Sequence, residues 1–323
     1  MTGTIEIVGL RKRYGRVAAL DGLDLTVAEG NVVGLLGPNG AGKTTALRIL
    51  VGLIRADSGT VTIEGRPVDR TWVAAERVGA MIALPVFYPH LSGPDNLRVV
   101  ATTWGWPTAQ AETRIGAVLG LVDLGSVGGR SVKGYSTGMR QRLGIAQALL
   151  ADPPIVVLDE PVNGLDPAGI VEIRDLLTSL AGTGRTILVS SHLLTEVERT
   201  CDHVAIVDRG RVLASGTPEA LSGPGTDRVE LQLGAGDRPA GQRALEAAGL
   251  KVTPGPGADA LWVQGAAGGA DVARRLASAG LFPDQLVHRR DSLEDIFLRL
   301  TDHRGEPAVE APASRTRLWS RSL

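Results

Sequence analysis

The chain has 323 residues, 43% of them apolar, and a formal net charge of −1; this length fits about two domains with a large core, and the near-neutral balance offers no general attraction to nucleic acid or anionic lipid. One cysteine, Cys201, excludes an internal disulfide framework and fits a reducing compartment. Met1–Ile7 lacks the basic flank and apolar run of a signal peptide, and no stretch approaches about 18 uninterrupted apolar residues, so the expectation is a soluble protein that reaches a membrane only through a partner.

From the start, Thr4–Leu10, Val17–Leu20 and Leu23–Val27 read as three short strands, an antiparallel lead-in. Arg11–Gly15 is a polar turn whose one aromatic, Tyr14, is an ordinary edge residue when taken alone. Asn31–Leu36 is apolar on both faces and predicts a buried strand. It runs into Gly37-Pro38-Asn39-Gly40-Ala41-Gly42-Lys43-Thr44, the spacing G-x-x-x-x-G-K-T, and Thr45–Leu50 opens a helix that Gly52 closes. A strand, a glycine loop and a helix start are the context in which this spacing binds phosphate. Glycine lets backbone N–H groups turn inward, because no Cβ stands in the way, and the helix start adds unpaired donors with a positive dipole end. Lys43 then reaches the β- and γ-phosphates, and the Thr44 hydroxyl takes a position on Mg²⁺.

Ser58–Gly65 predicts another strand, and Val78–Ile82 a buried one. Residues 85–95 are a proline-rich loop. Helices are predicted over Asp95–Thr103, capped by Asp95, over Thr108–Leu119 and over Met139–Leu150, a small helical lobe inserted into the main sheet. Ile155–Leu158 is a strand too apolar to face water, and it ends in Asp159-Glu160. Two carboxylates at the C-terminal end of a central strand lie in the usual ligand crevice of an α/β sheet; Asp159 suits Mg²⁺, and Glu160 suits a general base that polarises water. A helix follows Asn163–Pro167 and runs to Leu180, and the strand Thr186–Ser190 ends near His192. His192 lies just past a strand tip, as Asp159 does, where it can sense a γ-phosphate. Val204–Asp208 and Arg211–Ala214 predict a hairpin; Cys201 and His203 have no neighbouring ligands and make no metal site.

Ser222–Thr226 is a linker by composition. Beyond it a strand at Val229–Leu233, a helix at Gly241–Ala248, a strand at Ala260–Gln264, a helix at Val272–Ala279 and a strand at Gln285–Arg289 predict a small two-layer α/β module. A last helix, Leu293–Leu300, carries Leu293, Ile296, Phe297 and Leu300 on one face, for a core or a partner. The organisation expected is an α/β ATP-binding domain over residues 1–221 with its helical lobe at about 92–150, a linker at 222–227, an accessory α/β domain over 228–302, and a disordered tail over 303–323. Arg315, Arg317, Trp319 and Arg321 then belong to a solvated tail, with contact to a membrane surface as the other reading.

Together these residues resemble the ATP-binding subunit of an ABC transporter, with six motifs in the family's order between Ile5 and Pro218. The phosphate loop corresponds to Walker A, Ile155–Glu160 to Walker B with its catalytic Glu, Asn163–Asp166 to the D-loop and His192 to the switch histidine. Tyr135-Ser136-Thr137-Gly138-Met139 lies where the L-S-G-G-Q signature lies, and Tyr14 where the adenine-stacking aromatic lies. The resemblance implies a P-loop NTPase fold with ATP on Tyr14, on Gly37 through Thr45, and on Ser136, Thr137, Gly138, Met139 and Asp166. It implies Mg²⁺ on Thr44 and Asp159, and catalysis by Glu160 and His192. It further implies a homodimer that sandwiches ATP head to tail, with the signature of one chain on the nucleotide of the other, and membrane permease subunits that hold the chain at the cytoplasmic face of the cell membrane.

Phe87–Gly93, Asn96-Leu97 and Ser292–Phe297 look like the branch that includes bacitracin- and daunorubicin-type export ATPases, which implies export of an antibiotic, peptide or lipid-like cargo. Four positions depart from the family pattern: Thr137 and Met139 in the signature, Asn163 in the D-loop, and Ala83 where the Q-loop places Gln. Alanine neither ligates Mg²⁺ nor positions water. Ala83 therefore leaves open a nucleotide-sensing regulatory partner with impaired coupling. A soluble ABC-type ATPase acting on RNA or DNA uses the same engine, but the chain has a single cassette and no basic stripe.

Overall fold

The computed structural model describes residues 4–68, 77–127, 129–222, 228–234, 236–255, 257, 259–289 and 292–301. Three sheets organise them. The first, in the order β2-β1-β4-β5, is antiparallel and joins β1 (Ile5–Tyr14), β2 (Val17–Val27), β4 (Ser58–Ile63) and β5 (Arg66–Pro67). The lead-in is thus two long strands and not three short ones. β1 pairs with β2 from Ile5↔Val27 to Tyr14↔Val17, and register shifts around Leu10 absorb the interruption at Asp21-Gly22. Arg11–Tyr14, expected as a turn, belongs to β1.

The second sheet, β10-β9-β3-β8-β7-β6, carries the chemistry. It contains β3 (Val32–Leu36), β6 (Val78–Met81), β7 (Ile155–Asp159), β8 (Thr186–Ser191), β9 (His203–Asp208) and β10 (Arg211–Gly216), with only β10 antiparallel to its neighbour. Every residue of β3, β7 and β8 is buried, as their central apolar runs require when both faces are covered. On one face, Leu35, Val157 and Leu188 pack with α1 (Lys43–Leu50) and the first sheet; on the other, Leu36, Val156 and Leu158 pack with the helical lobe and with α5 (Pro167–Ala181).

The lobe sits between β6 and β7 and consists of α2 (Gly93–Thr103), α3 (Thr108–Leu121) and α4 (Thr137–Ala148). Ser92, not Asp95, caps α2: its hydroxyl accepts from the Asp95 N–H at 3.2 Å. α4 starts two residues earlier than its apolar spacing suggests, because Ser136 is its N-cap and accepts from the Met139 N–H at 3.2 Å. The lobe returns close to the sheet at Gly79, where an added Cβ would lie 1.9 Å from the Ala148 carbonyl oxygen. Gly79→Ala is expected to cost about 1–3 kcal/mol through overpacking, read as a lower urea midpoint at unchanged m-value; an unchanged midpoint would show that the lobe yields freely there.

A short helix invisible to the sequence pattern, α6 (Leu194–Thr200), follows His192 and buries only Val197, so it carries no apolar stripe. α7 (Pro218–Ser222) closes this part of the chain; the rest of the expected linker, 223–227, and the expected tail, 303–323, lie outside the described residues.

The third sheet, β12-β13-β11-β14, is antiparallel throughout and is formed by β11 (Arg228–Leu233), β12 (Lys251–Pro254), β13 (Ala260–Gln264) and β14 (Pro283–Arg289). With α8 (Arg238–Ala247) and α9 (Gly269–Ser278) it makes a β-α-β-β-α-β module around Val229, Leu231, Leu245, Leu261, Val263, Val272 and Leu276. The expected order lacked β12, an edge strand with no fully buried residue and a terminal proline. The last helix, α10 (Leu293–Thr301), does not pack into this module's core: it lies on α6 and α7, and Leu293 and Ile296 join the core of the second sheet. Its apolar face is a core face.

Candidate nucleotide site

Five of the six strands of the second sheet run parallel, so the chemistry-bearing ends of β3, β7 and β8 point the same way. At the end of β3 the loop Gly37–Gly42 turns into α1. Gly37 has no room for a side chain, since a Cβ would fall 2.2 Å from the Val207 carbonyl oxygen. Gly42 is the N-cap of α1 at φ +107°, a conformation that suits glycine. No side chain caps this helix and no acidic residue lies in its first turn, so its leading N–H groups and positive dipole end remain available to an anion. Asn39 and Gly40 are exposed, Ala41 is buried, and Thr44 and Thr45 are half-buried on α1. Lys43 is 5% exposed; its ammonium donates to the Gly37 carbonyl at 2.6 Å and lies 3.3 Å from Glu160 Oε1.

The tips of β7 and β8 add the carboxylates and hydroxyls. Asp159 is 4% exposed and accepts from the Thr44 hydroxyl at 2.9 Å and from the Ser190 hydroxyl at 2.6 Å. Glu160 stands at φ +49°, a strained position for a residue with a Cβ. Its N–H donates to Ser190 Oγ at 3.0 Å, and its Oε2 lies 2.7 Å from Nδ1 of the half-exposed His192. One small volume therefore holds the phosphate loop, a carboxylate–hydroxyl pair and a carboxylate bridged between Lys43 and His192. Ser190 is the member that sequence reasoning missed; two polar residues closing the apolar run Thr186–Val189 were its only signal.

The pair Thr44–Asp159 fits a hard divalent cation: both donors are oxygens, they already touch, and Ser190 orients the carboxylate. Among the described residues no group of three or more His, Cys, Asp or Glu side chains stands ready to hold a metal, so nucleotide oxygens and water would complete such a shell.

The other predicted residues lie elsewhere. Ser136, Thr137, Gly138 and Met139 form the start of α4 beside Gly164 and Leu165, and among the described residues no hydrogen bond or ion pair links them to Gly37–Thr45. Asp166 caps α5, accepting from the Gly169 N–H at 3.0 Å. Tyr14 is 49% exposed at the tip of β1. Its partner strand β2 passes over the loop, with the Ala19 carbonyl oxygen 2.5 Å from where a Cβ on Gly42 would sit. Lys12 Nζ lies 5.7 Å from the Tyr14 ring centroid and is held by Asp57 at 2.9 Å, a hydrogen bond that keeps the Asp57 carboxyl below its ordinary pKa. Ala83, just past β6, is exposed at φ +64°.

A phosphate loop on a parallel sheet, an Asp–Glu pair at the tip of β7, two strands over in the same sheet, and a capped signature helix in an inserted lobe define an ATP-binding cassette. Comparison with known proteins narrows this. A family model described as "ABC transporter" matches residues 20–163. The chain is 37% identical over 310 residues to "Daunorubicin resistance ATP-binding protein DrrA3" of Streptomyces coeruleorubidus, covering 92% of this chain and 95% of that one. It is 38% identical to "Nod factor export ATP-binding protein I" of Cupriavidus metallidurans, covering 93% and 98% respectively. It is 41% identical to "Lantibiotic transport ATP-binding protein SrtF" of Streptococcus pyogenes, over 65% of this chain and 89% of the relative. A solved ATP-binding subunit of an ABC transporter superposes with a TM-score of 0.59 at 30% identity, covering 68% of this chain and 91% of that one. The chain belongs to the ATP-binding subunits of ABC transporters and is an ATPase.

Proposed function

We propose that this chain is the ATPase subunit of a bacterial ABC exporter, working as a head-to-tail dimer under separate membrane permease subunits. The observation that carries the reading is the bridge Lys43–Glu160–His192 beside Thr44–Asp159–Ser190, which gathers an ammonium for phosphate, a base and a site for a metal cation at one strand-tip cluster. Lys43 and the first N–H groups of α1 bind phosphate, Thr44 and Asp159 are the residues that would hold Mg²⁺, which would supply charge neutralisation, and Glu160 takes a proton from the attacking water. His192 orients Glu160 and faces the γ-phosphate. Ser136 and Gly138, at an α4 start that among the described residues makes no hydrogen bond to the chain's own loop, suit the nucleotide of a second copy, and Tyr14 and Asp166 complete the nucleotide contacts. The unit 1–221 is the engine and 228–302 an accessory module that returns α10 to it.

Export is supported by the names of relatives aligned over nearly the whole chain. A membrane partner is supported by an open cleft of about 450 Å³ rimmed by Leu53, Leu84 and Val86, which are 64%, 70% and 91% exposed. No helix among the described residues is long and apolar enough to cross a membrane. The cargo class proposed is an antibiotic, a peptide or a lipid-like molecule. A nucleotide-sensing regulator is the second reading, favoured by Ala83 alone. Purification of tagged protein from detergent-solubilised host membranes is expected to bring down a stoichiometric polytopic chain that stimulates ATP turnover. Recovery without any membrane chain would sink the exporter reading, and a bound permease that leaves turnover unchanged would favour the regulator.

A further inference from the structure

One set of contacts is left unused by the proposed function: those linking the C-terminal module to His192. His192 is fixed from two sides, by β8 before it and α6 after it. The Leu193 N–H donates to the Ser191 hydroxyl at 3.0 Å, closing the turn that carries the imidazole. α6 is only seven residues long, has no side-chain cap and buries one of its own residues, Val197. A helix this short has no stability of its own, so its place is set by what packs against it.

On its inner side α6 is pressed onto β3, the strand that feeds the phosphate loop. A Cβ on Gly34 would lie 2.4 Å from Val197 Cγ1 and 3.1 Å from Cys201 Sγ, so glycine is what permits the approach. The Cys201 thiol is pushed up to about 12 by burial in this seam and stays a neutral apolar filler. Another side of α6 is covered by α10. Leu293 is 0% and Ile296 3% exposed, in the same core cluster as Val197 and Cys201 with Leu193 and Leu194 packed against it.

α10 is in turn anchored in the module. Ser292 and Asp295 form a reciprocal cap, the Asp295 N–H donating to Ser292 Oγ at 3.2 Å and the Ser292 N–H to Asp295 Oδ2 at 3.0 Å. Asp295 also lies 3.8 Å from the Arg228 guanidinium on β11, and Arg228 stacks 4.2 Å over the Trp262 ring on β13. A continuous set of packed groups therefore runs from the module's sheet through α10 and α6 to the turn bearing His192.

We infer that α10 is a positioning element for catalysis: Leu293 and Ile296 hold α6, and through it the imidazole of His192, against Glu160. The inference rests on the catalytic role proposed for His192. It gives the C-terminal module a task in the hydrolytic step itself, because a change in the module's sheet reaches the site through Arg228 and Asp295.

Steady-state ATP hydrolysis by the full chain tests it, with Ile296→Ala and the milder Ile296→Val each placed in the parental and the His192→Ala backgrounds. Mutations along coupled networks shift function by about two- to thirty-fold. A loss of kcat in that range is expected from Ile296→Ala, smaller from Ile296→Val and Arg228→Ala, with KM unchanged. In the His192→Ala background the same changes are expected to cost less than about two-fold, the scatter of independent sites. Equal losses in both backgrounds would reveal general destabilisation and overturn the inference, as would a rise in KM alone, which would point to β3 and the phosphate loop. If Ile296→Ala does not fold, parental kcat in both Ile296→Val and Arg228→Ala is the overturning result. Parental turnover in His192→Ala alone would refute the role of His192, a failure distinct from that of α10.

Discussion

Replacing Glu160 with glutamine is expected to leave ATP binding intact and to lower turnover by about a hundred- to ten-thousand-fold, the usual worth of a positioned general base. The substitution preserves shape, so the strained backbone at φ +49° and the N–H bond to Ser190 Oγ have no reason to change. Chemistry is what changes. A carboxamide takes no proton from water, and it replaces the charge that Lys43 meets at 3.3 Å and His192 at 2.7 Å with a neutral group. Binding depends on the loop, Lys43 and the start of α1; the substitution moves none of them and only frees the Lys43 ammonium of its Glu160 counter-charge. A titration with a fluorescent ATP analogue beside a phosphate-release assay separates the two quantities, and an ATP-locked dimer is expected to accumulate on a sizing column. Parental hydrolysis would remove Glu160 from the role of base and leave Asp159, already committed to Thr44 and Ser190, without a partner in catalysis.

Lys43→Ala is expected to weaken ATP binding itself, by about two orders of magnitude or more. Truncating one partner of a buried charged contact costs about 2–5 kcal/mol, and Lys43 is among the few charged side chains buried among the described residues. Its ammonium is also the group that balances Glu160 and satisfies the Gly37 carbonyl, so removal leaves both without their cation in a low-dielectric pocket. Lys43→Arg should rescue poorly, because a forked guanidinium does not fit where a compact ammonium reaches a carbonyl at 2.6 Å. Isothermal titration with MgATP measures the effect directly. An unchanged Kd would dismiss the phosphate cradle as a structural turn, and a normal Kd with lost turnover would move Lys43 from binding to catalysis.

Much of this was legible in the residues themselves, and the legible part shares one property. The strand Val32–Leu36, the glycine loop and the start of α1 are contiguous, so backbone preference and apolar runs suffice to place them. The same holds for Ile155–Leu158 and Ile187–Val189, whose apolar runs place them in central strands, and it carries Asp159, Glu160 and His192 to strand tips. Ser136 was legible as a helix-start polar group, although the apolar spacing placed the helix two residues late, because a cap lies outside the periodic face.

What the sequence could not disclose depended on partners far along the chain. β2 is continuous only because β1 is long enough to pair with all of it. α6 and β12 have too little buried surface to leave a pattern, and exist where other elements press on them. Ser190 acquires its purpose from Asp159, 31 residues away. The apolar face of α10 predicted that something covers it and was silent on what; tertiary structure seated it with α6 and α7 on the core of the second sheet, away from its own module. By itself the sequence determined the glycine loop, the parallel sheet that carries it and the identity of the charged groups, because these follow from local backbone and burial preferences. Only the tertiary structure decided which groups meet: hydrogen bonds and packing between distant segments are set by three-dimensional proximity, which no local pattern encodes.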